Sequence, residues 1–462
     1  MSEVKNRVYE AYEKAQELNK VLNDVITFVD PKEQLENLNE NGKLYGVPIA
    51  LKDNVSTKGI RTTAASKILE NYVPVYDATI TKKLKEAGSV IIAKASMDEL
   101  AMGGTNLTAF TGPVLNPWDT SRMSGGSSGG SAALVSSGVV SLAIGSDTGD
   151  SIRKPASFCG VVGVKPTYGR ISRYGVIPYA SSLDHVGYFT SNVLDASVAL
   201  EVLAGRDDKD LTSSFKEVQE YSKLLNSDIK GKKIAIFKNV IDSLTNQETI
   251  KMFNELIEKL KEKGAVVEEF SFKDDLMKAL LPAYYLIANC EATANHSNLD
   301  GLRFGVSKQG NDTKEVMINS RTEGFGSLIR KRFVIGSYGL FVENQEKLFK
   351  KAQRVRRLIV EELNECLSKY DCLIAPASND IAPLLDNKSR DELSDNYLIA
   401  ENHMVIGNFS GFPSMSLPMG FELGCPIGVN ITTKAFDEVS MFNIGLAIEE
   451  STGLKNLVAK VK

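Results

Sequence analysis

Residues 124–159 read SGGSSGGSAALVSSGVVSLAIGSDTGDSIRKPASFC, in which two Gly/Ser-rich turns, residues 125–131 and 145–151, flank a short apolar segment. Glycine lets backbone approach a ligand closely or take a positive φ, and serine supplies hydroxyls that attack or relay protons. A flexible linker shares this composition, but it is not interrupted by LVSSGVVSLAI, a run that belongs in a core. The first turn is expected to feed a helix through AALVSS, and VVSLAIGSD to be a buried strand running into the second turn. Such a stretch reads as an active site.

The surroundings alternate between helix and strand. Residues 4–20 have the pattern of a surface helix, and VPIAL is a strand-length apolar run ending at Lys52 and Asp53. DATITKKLKEAG reads as a helix closed by Gly88 and is followed by the strand SVIIAKA. This is an α/β alternation. Residues 205–233 are polar and fit either a linker or a long surface excursion. Beyond them KKIAIFKN opens a second α/β run, with a long charged helix pattern over 341–369 and strands near DCLIAP, SMSLPM and PIGVNIT. No internal repeat is visible.

Composition narrows the function classes. An apolar fraction of 43% and a charged fraction of 24% suit a soluble globular enzyme. The net charge of −4 gives no basic excess for direct nucleic-acid binding. KRF at 331–333 and KKAQRVRR at 350–357 form a local basic run that reads as a solvated helix face. No run reaches membrane-spanning length and the N-terminus has no apolar leader core. The five cysteines are scattered without a C-x-x-C pair, which argues against a disulfide framework or a zinc site and fits the cytoplasm.

Two kinds of base could serve the serines. Residues 125–129, GGSSG, match the G-x-S-x-G nucleophile elbow, which requires a histidine. His185, in SLDHVG, suits that role best; His296 and His403 read as packing or surface residues. The other base is a lysine held partly neutral by burial, and Lys52 at the end of an apolar strand is placed for it. The residue types alone leave both open.

The order GVPIALKDN, GGSSGGSAA, GSDTG-x-SIR and FCGVVGVKPTYGR resembles the amidase signature family, almost unbroken from about residue 45 to 190. Around these motifs TKGIRTTAASKILENYVPVYDATI, NPWDTSRMSGGSSGGSAA, KPTYGRISRYGVIPYASSLDHVG, EGFGSLIRKR and KAQRVR are similar to the A subunits of the aspartyl/glutamyl-tRNA amidotransferases. The likeness loosens after about residue 205. It implies an α/β amidase-signature fold: one domain over 1–462, a mixed central β-sheet covered on both faces by helices, and a mainly helical second half.

The resemblance also implies a Ser–cis-Ser–Lys triad. Ser151 falls on the nucleophile, Ser127 on the bridging serine with a cis bond to Gly126, and Lys52 on the base. The oxyanion donors would be backbone N–H groups of Thr148, Gly149, Asp150 and Ser151. Here the chain departs from the family's DTGGS, because Asp150 places a Cβ and a charge where a glycine is usual. Lys154, where the A subunits usually have Gln, is placed to offset that charge. Tyr284 and Arg332 fall on groups that hold the amino-acid end of glutamine, and Glu401 on the aspartate of that site. The implied reaction releases ammonia from glutamine. The B subunit, using ATP and Mg²⁺ and holding misacylated Glu-tRNA(Gln) or Asp-tRNA(Asn), would consume it, and a small C subunit would complete a heterotrimer. No cofactor or metal is expected in this chain. An assembly subunit weakened by Asp150 and a standalone amidase are the alternatives.

Overall fold

Short buried runs of Val, Ile, Leu and Ala form the strands, and their order in the sheet decides which turns meet. The computed structural model describes residues 2–386 and 395–461. Among these, β1 (Val25–Phe28), β2 (Pro48–Lys52), β3 (Val90–Ala95), β4 (Leu142–Asp147), β5 (Val162–Lys165), β6 (His185–Thr190), β7 (Lys233–Phe237), β8 (Val266–Phe270), β9 (Cys372–Pro376), β10 (Ser414–Glu422) and β11 (Cys425–Thr432) join one sheet. Their spatial order is β1-β3-β2-β4-β6-β5-β10-β11-β9-β7-β8. Parallel pairs lie at β2–β3, β2–β4, β7–β8 and β7–β9, and the other neighbours are antiparallel, so the sheet is mixed.

Every residue of β2, β3 and β4 is buried, as strands covered on both faces must be. Side chains alternate between two core layers. Ile49, Leu51, Leu142 and Ile144 pack with Leu200 and Phe442 from the helices Val193–Leu203 and Glu438–Thr452. Ala50 and Ala143 face the opposite layer, with Leu134 of the helix Gly129–Ser136 and Val8 of the helix Ser2–Leu22. A third apolar cluster gathers the helices Asp274–Asn295, Ser327–Leu340 and Phe349–Lys369. Strands from both halves of the chain meet where β5 pairs with β10, Val164 opposite Met415.

The expected first-half elements are present, including the helix Thr79–Glu86 closed by Gly88 at φ +80°. One expectation changes: the charged pattern over 341–369 is two helices, Val342–Gln345 and Phe349–Lys369. The basic run divides as well. Lys350 and Arg354 pair with Glu346, and Arg357 with Glu361, on the solvated face. Arg356 turns inward and donates to the Phe409 carbonyl at 3.0 Å. Among the described residues no helix is long and apolar enough to cross a membrane. All five cysteines are free and buried.

Candidate active site

β2 and β4 are parallel neighbours, with Leu51 beside Ile144, so both release their chains at the same edge of the sheet. Carboxyl ends of parallel strands are where α/β proteins place ligands. Lys52, the last residue of β2, is fully buried there. Its Nζ lies 2.8 Å from Ser127 Oγ, 2.7 Å from Ser128 Oγ and 3.0 Å from Ser146 Oγ. The Gly126–Ser127 peptide bond is cis, as the family resemblance implies. Asp98 braces this turn: its N–H donates to the Ser127 carbonyl at 3.1 Å, and its carboxylate accepts from Asn106 N–H and Thr108 Oγ.

Burial lowers the Lys52 pKa to about 7, against the opposing pull of Asp98, Asp147 and Asp184. A buried ammonium loses hydration that surrounding hydroxyls replace only in part. Near neutral pH an appreciable share of this lysine is therefore a free amine, which donates two protons and accepts one.

The second turn is built on an ion pair. Asp147 ends β4, and Arg153, buried like it, donates Nε to Asp147 Oδ2 at 3.1 Å and Nη2 to Oδ1 at 2.8 Å. The arginine holds the Asp147 carboxyl below the usual carboxylate range despite its burial. Arg153 also donates to the carbonyls of Gly149 and Met404 and to the side chain of Asn408. Lys154 N–H donates to the Asp150 carbonyl at 2.8 Å. In a trans peptide N–H and C=O point opposite ways, so these bonds aim the Asp150 N–H away from the arginine and the Ser151 N–H away from the Lys154 amide. Among the described residues no acceptor receives the N–H of Gly149, Asp150 or Ser151. Thr148 is anchored separately, its hydroxyl donating to Asp184 at 2.7 Å. Ser151, 4% exposed, is tied to the first turn because its carbonyl accepts the Ser128 N–H at 3.2 Å.

Asp150 fits this turn without the left-handed backbone that would demand glycine, since no residue of 147–151 has a positive φ. The steric demand falls on Gly149, where a Cβ would come within 2.8 Å of the Tyr284 hydroxyl. Burial lifts the Asp150 carboxyl to about 7, opposed chiefly by Lys154. Lys154 itself is committed elsewhere: its Nζ donates to Glu401 Oε2 at 2.7 Å and to the Glu401 carbonyl at 2.8 Å. Glu401 Oε1 accepts the Asn379 N–H at 2.8 Å.

Tyr284 and Arg332 converge from neighbouring helices. Arg332 Nη1 donates to Tyr179 Oη at 2.6 Å, and its guanidinium lies over the rings of Tyr179 and Tyr285. The helices approach closely because Gly336 packs on the Asn289 carbonyl and Gly339 on Cys290. Tyr179, the partner of Arg332, also lines a cavity of about 270 Å³ with Asn54, Ser146, Arg173, Asp184 and Asp210.

The amidase family model matches residues 7–442. The chain belongs to the amidase family. Among its relatives, the A subunit of glutamyl-tRNA(Gln) amidotransferase from Lactobacillus delbrueckii subsp. bulgaricus is 42% identical over 434 residues, 93% of this chain and 89% of the relative. The protein of the same name from Sulfolobus acidocaldarius is 41% identical over 462 residues, 98% and 96% of the two chains. The crystal structure of the Thermotoga maritima glutamyl-tRNA(Gln) amidotransferase A subunit superposes with a TM-score of 0.83 at 36% identity, covering 100% of this chain and 95% of that one. The mixed sheet with helices on both faces is thus the amidase-family fold.

Among the described residues of this amidase-family chain the histidines hold no serine. His185 Nδ1 meets the Leu183 carbonyl and its ring packs edge-on against Tyr168; His403 Nδ1 meets the Ala400 carbonyl. Burial lowers the pKa of all three, to about 4 for His296 and about 3 for His403. Arg153, Ser128, Tyr179 and Asp98 join the site without having been picked out by the sequence motifs. Arg153 left a signal, a charge six residues after Asp147 inside a stretch otherwise fit for a core. Tyr179 left none.

Proposed function

We propose that this chain is the glutamine-hydrolysing subunit of a tRNA-dependent amidotransferase. The observation that carries the reading is the bond from Lys52 to Ser127, beside a second turn whose N–H groups around Ser151 are unspent. Neutral Lys52 takes the proton of Ser127 Oγ, and Ser127 takes that of Ser151 Oγ, which attacks the glutamine carboxamide carbon. The carboxamide oxygen becomes an oxyanion facing the turn N–H groups. The relay then returns a proton to the nitrogen as ammonia leaves. Water cleaves the resulting acyl-Ser151 by the same relay, yielding glutamate.

The role within a larger complex rests on the relatives' names and on the surface. Val334, Tyr338, Phe341 and Val342 are exposed together at and after the helix Ser327–Leu340, the kind of apolar patch a partner covers. A partner of the B type would bind ATP, Mg²⁺ and misacylated tRNA and receive the ammonia, with a small partner of the C type completing the heterotrimer. The test is ammonia and glutamate release from glutamine by the chain with its partner subunits and charged tRNA. Activity lost in Ser151→Ala supports the reading. Turnover of simple amides without partners would favour a standalone amidase, and activity gained only in Asp150→Gly a weakened subunit.

A further inference from the structure

The helix Ser327–Leu340 has no anion of its own at the end that calls for one. A helix N-terminus carries the positive pole of the dipole and backbone N–H groups without partners. Gly326 precedes this one without a capping side chain, and no acid lies in its first turn. Arg330, Lys331 and Arg332 then place three cations close behind. Glu99 supplies the anion from 227 positions away: its carboxylate accepts the Gly326 N–H at 3.0 Å on Oε2 and 3.2 Å on Oε1. The residue is only 4% exposed, and a Cβ on Gly326 would collide with Glu99 Oε2. Ser66 Oγ donates to Oε1 at 2.6 Å and holds the carboxylate in place.

Glu99 is tied to the serine–lysine relay on two sides. Its neighbour Asp98 donates its N–H to the Ser127 carbonyl. Ser66 closes a segment that Asp53, next to Lys52, grips through the Thr63 N–H at 2.8 Å and the Ala64 N–H at 2.9 Å. Both segments take an uncommon course. Ala64, Ala65, Leu100 and Ala101 all have φ between +47° and +60°, and the Leu100 N–H donates to the Ala64 carbonyl at 2.8 Å. Left-handed backbone is costly for residues other than glycine and persists where its surroundings over-determine it. Here it aims Ser66 and Glu99 at one point, the end of the helix that carries Arg332.

We infer that Glu99 is a positioning residue for glutamine: its carboxylate docks the helix Ser327–Leu340 beside the Asp98–Ser127 turn and so fixes Arg332 relative to the relay. The inference rests on the glutaminase reading and on Arg332 as a group proposed to hold glutamine. Glu99 acts through the helix and not on the reacting atoms.

The experiment is a double-mutant cycle on Glu99 and Gly326, read by steady-state ammonia release from glutamine in the complex with its partner subunits and charged tRNA. It is run at about pH 8.5, above the value of about 7 to which burial lifts the Glu99 carboxyl. Glu99→Ala removes the cap, and Gly326→Ala pushes the carboxylate off its N–H. Each is expected to raise KM for glutamine about 10-fold with kcat held within about threefold, and the double variant to be no worse than the worse single. Glu99→Gln, which keeps an acceptor for the Gly326 N–H, is expected to restore most of the affinity. Where Glu99→Ala does not assemble, Gly326→Ala and Glu99→Gln carry the same test. A kcat that falls as far as kcat/KM marks a merely structural role and overturns the inference. So does an unmoved KM in the single variants, or two effects that add in the double; in each case the glutaminase reading stands. No ammonia from glutamine in the unmutated complex removes the reading and the inference together.

Discussion

Lys52 is surrounded by oxygens of Ser127, Ser128 and Ser146, none of which carries a full charge. Dehydration therefore governs its protonation, and the sign of the pH effect follows. With a pKa near 7, Lys52 is an ammonium below that value and cannot take a proton from Ser127. Glutaminase kcat/KM is expected to climb as pH rises through about 7 and then level off, measured by ammonia release across pH 5.5–9. Lys52→Arg, always charged, should be inactive throughout that range. Arg153 makes a different prediction. Arg153→Met leaves Asp147 charged and buried without its partner, which typically costs about 3–5 kcal/mol, read as a lower denaturation midpoint. Lys52 was legible from the sequence because its charge ends an apolar run. The commitment of Glu401 to Lys154 was not, because the two are 247 positions apart and only the fold brings them together.

Elements rather than residues set the position of Tyr284 and Arg332, the groups proposed to hold glutamine. Tyr284 and Arg332 stand on separate helices whose spacing is fixed where Gly336 meets the Asn289 carbonyl and Thr293. A methyl group at Gly336 has no room, so Gly336→Ala should push the helices apart at a cost of about 1–3 kcal/mol. Steady-state kinetics are expected to show a raised KM for glutamine with kcat less affected, since the Lys52 relay lies on the sheet and not on these helices. Strands were the easiest elements to read in advance, because each is a short apolar run bounded by turn residues. The break between Gln345 and Phe349 escaped, because the charge pattern is the same on both sides and periodicity does not register a change of direction.

Across the whole molecule, the turn that carries Ser151 is assembled by parts distant in sequence. Arg153 reaches Met404 and Asn408, and the Gly428 N–H donates to Ser157 Oγ at 2.8 Å, so the helix after Ser151 is seated on β11. β5 likewise has β10 as its outer neighbour. We therefore expect residues 1–204 expressed alone to show little amide protection in hydrogen exchange. The complete chain should lose activity and sheet protection at one temperature. Independent melting of the two halves would contradict this. The motif-rich first half displayed Lys52, Ser127 and Ser151 in the sequence, whereas the clamp that holds their turns lies in the looser second half.

The buried thiols have a consequence for how the protein ages. Cys159, Cys290, Cys366, Cys372 and Cys425 lie in five different elements, and burial pushes every one of them up, Cys290 to about 11 and Cys366 to about 12. A thiol kept protonated and out of solvent is a poor target for alkylation or peroxide. Finished molecules should resist both at neutral pH, and chains still on the way to the sheet should not. Oxidative stress would then act on newly made protein and spare the standing stock. Mass spectrometry of iodoacetamide-treated protein would show it as unlabelled native chains beside fully labelled unfolded ones.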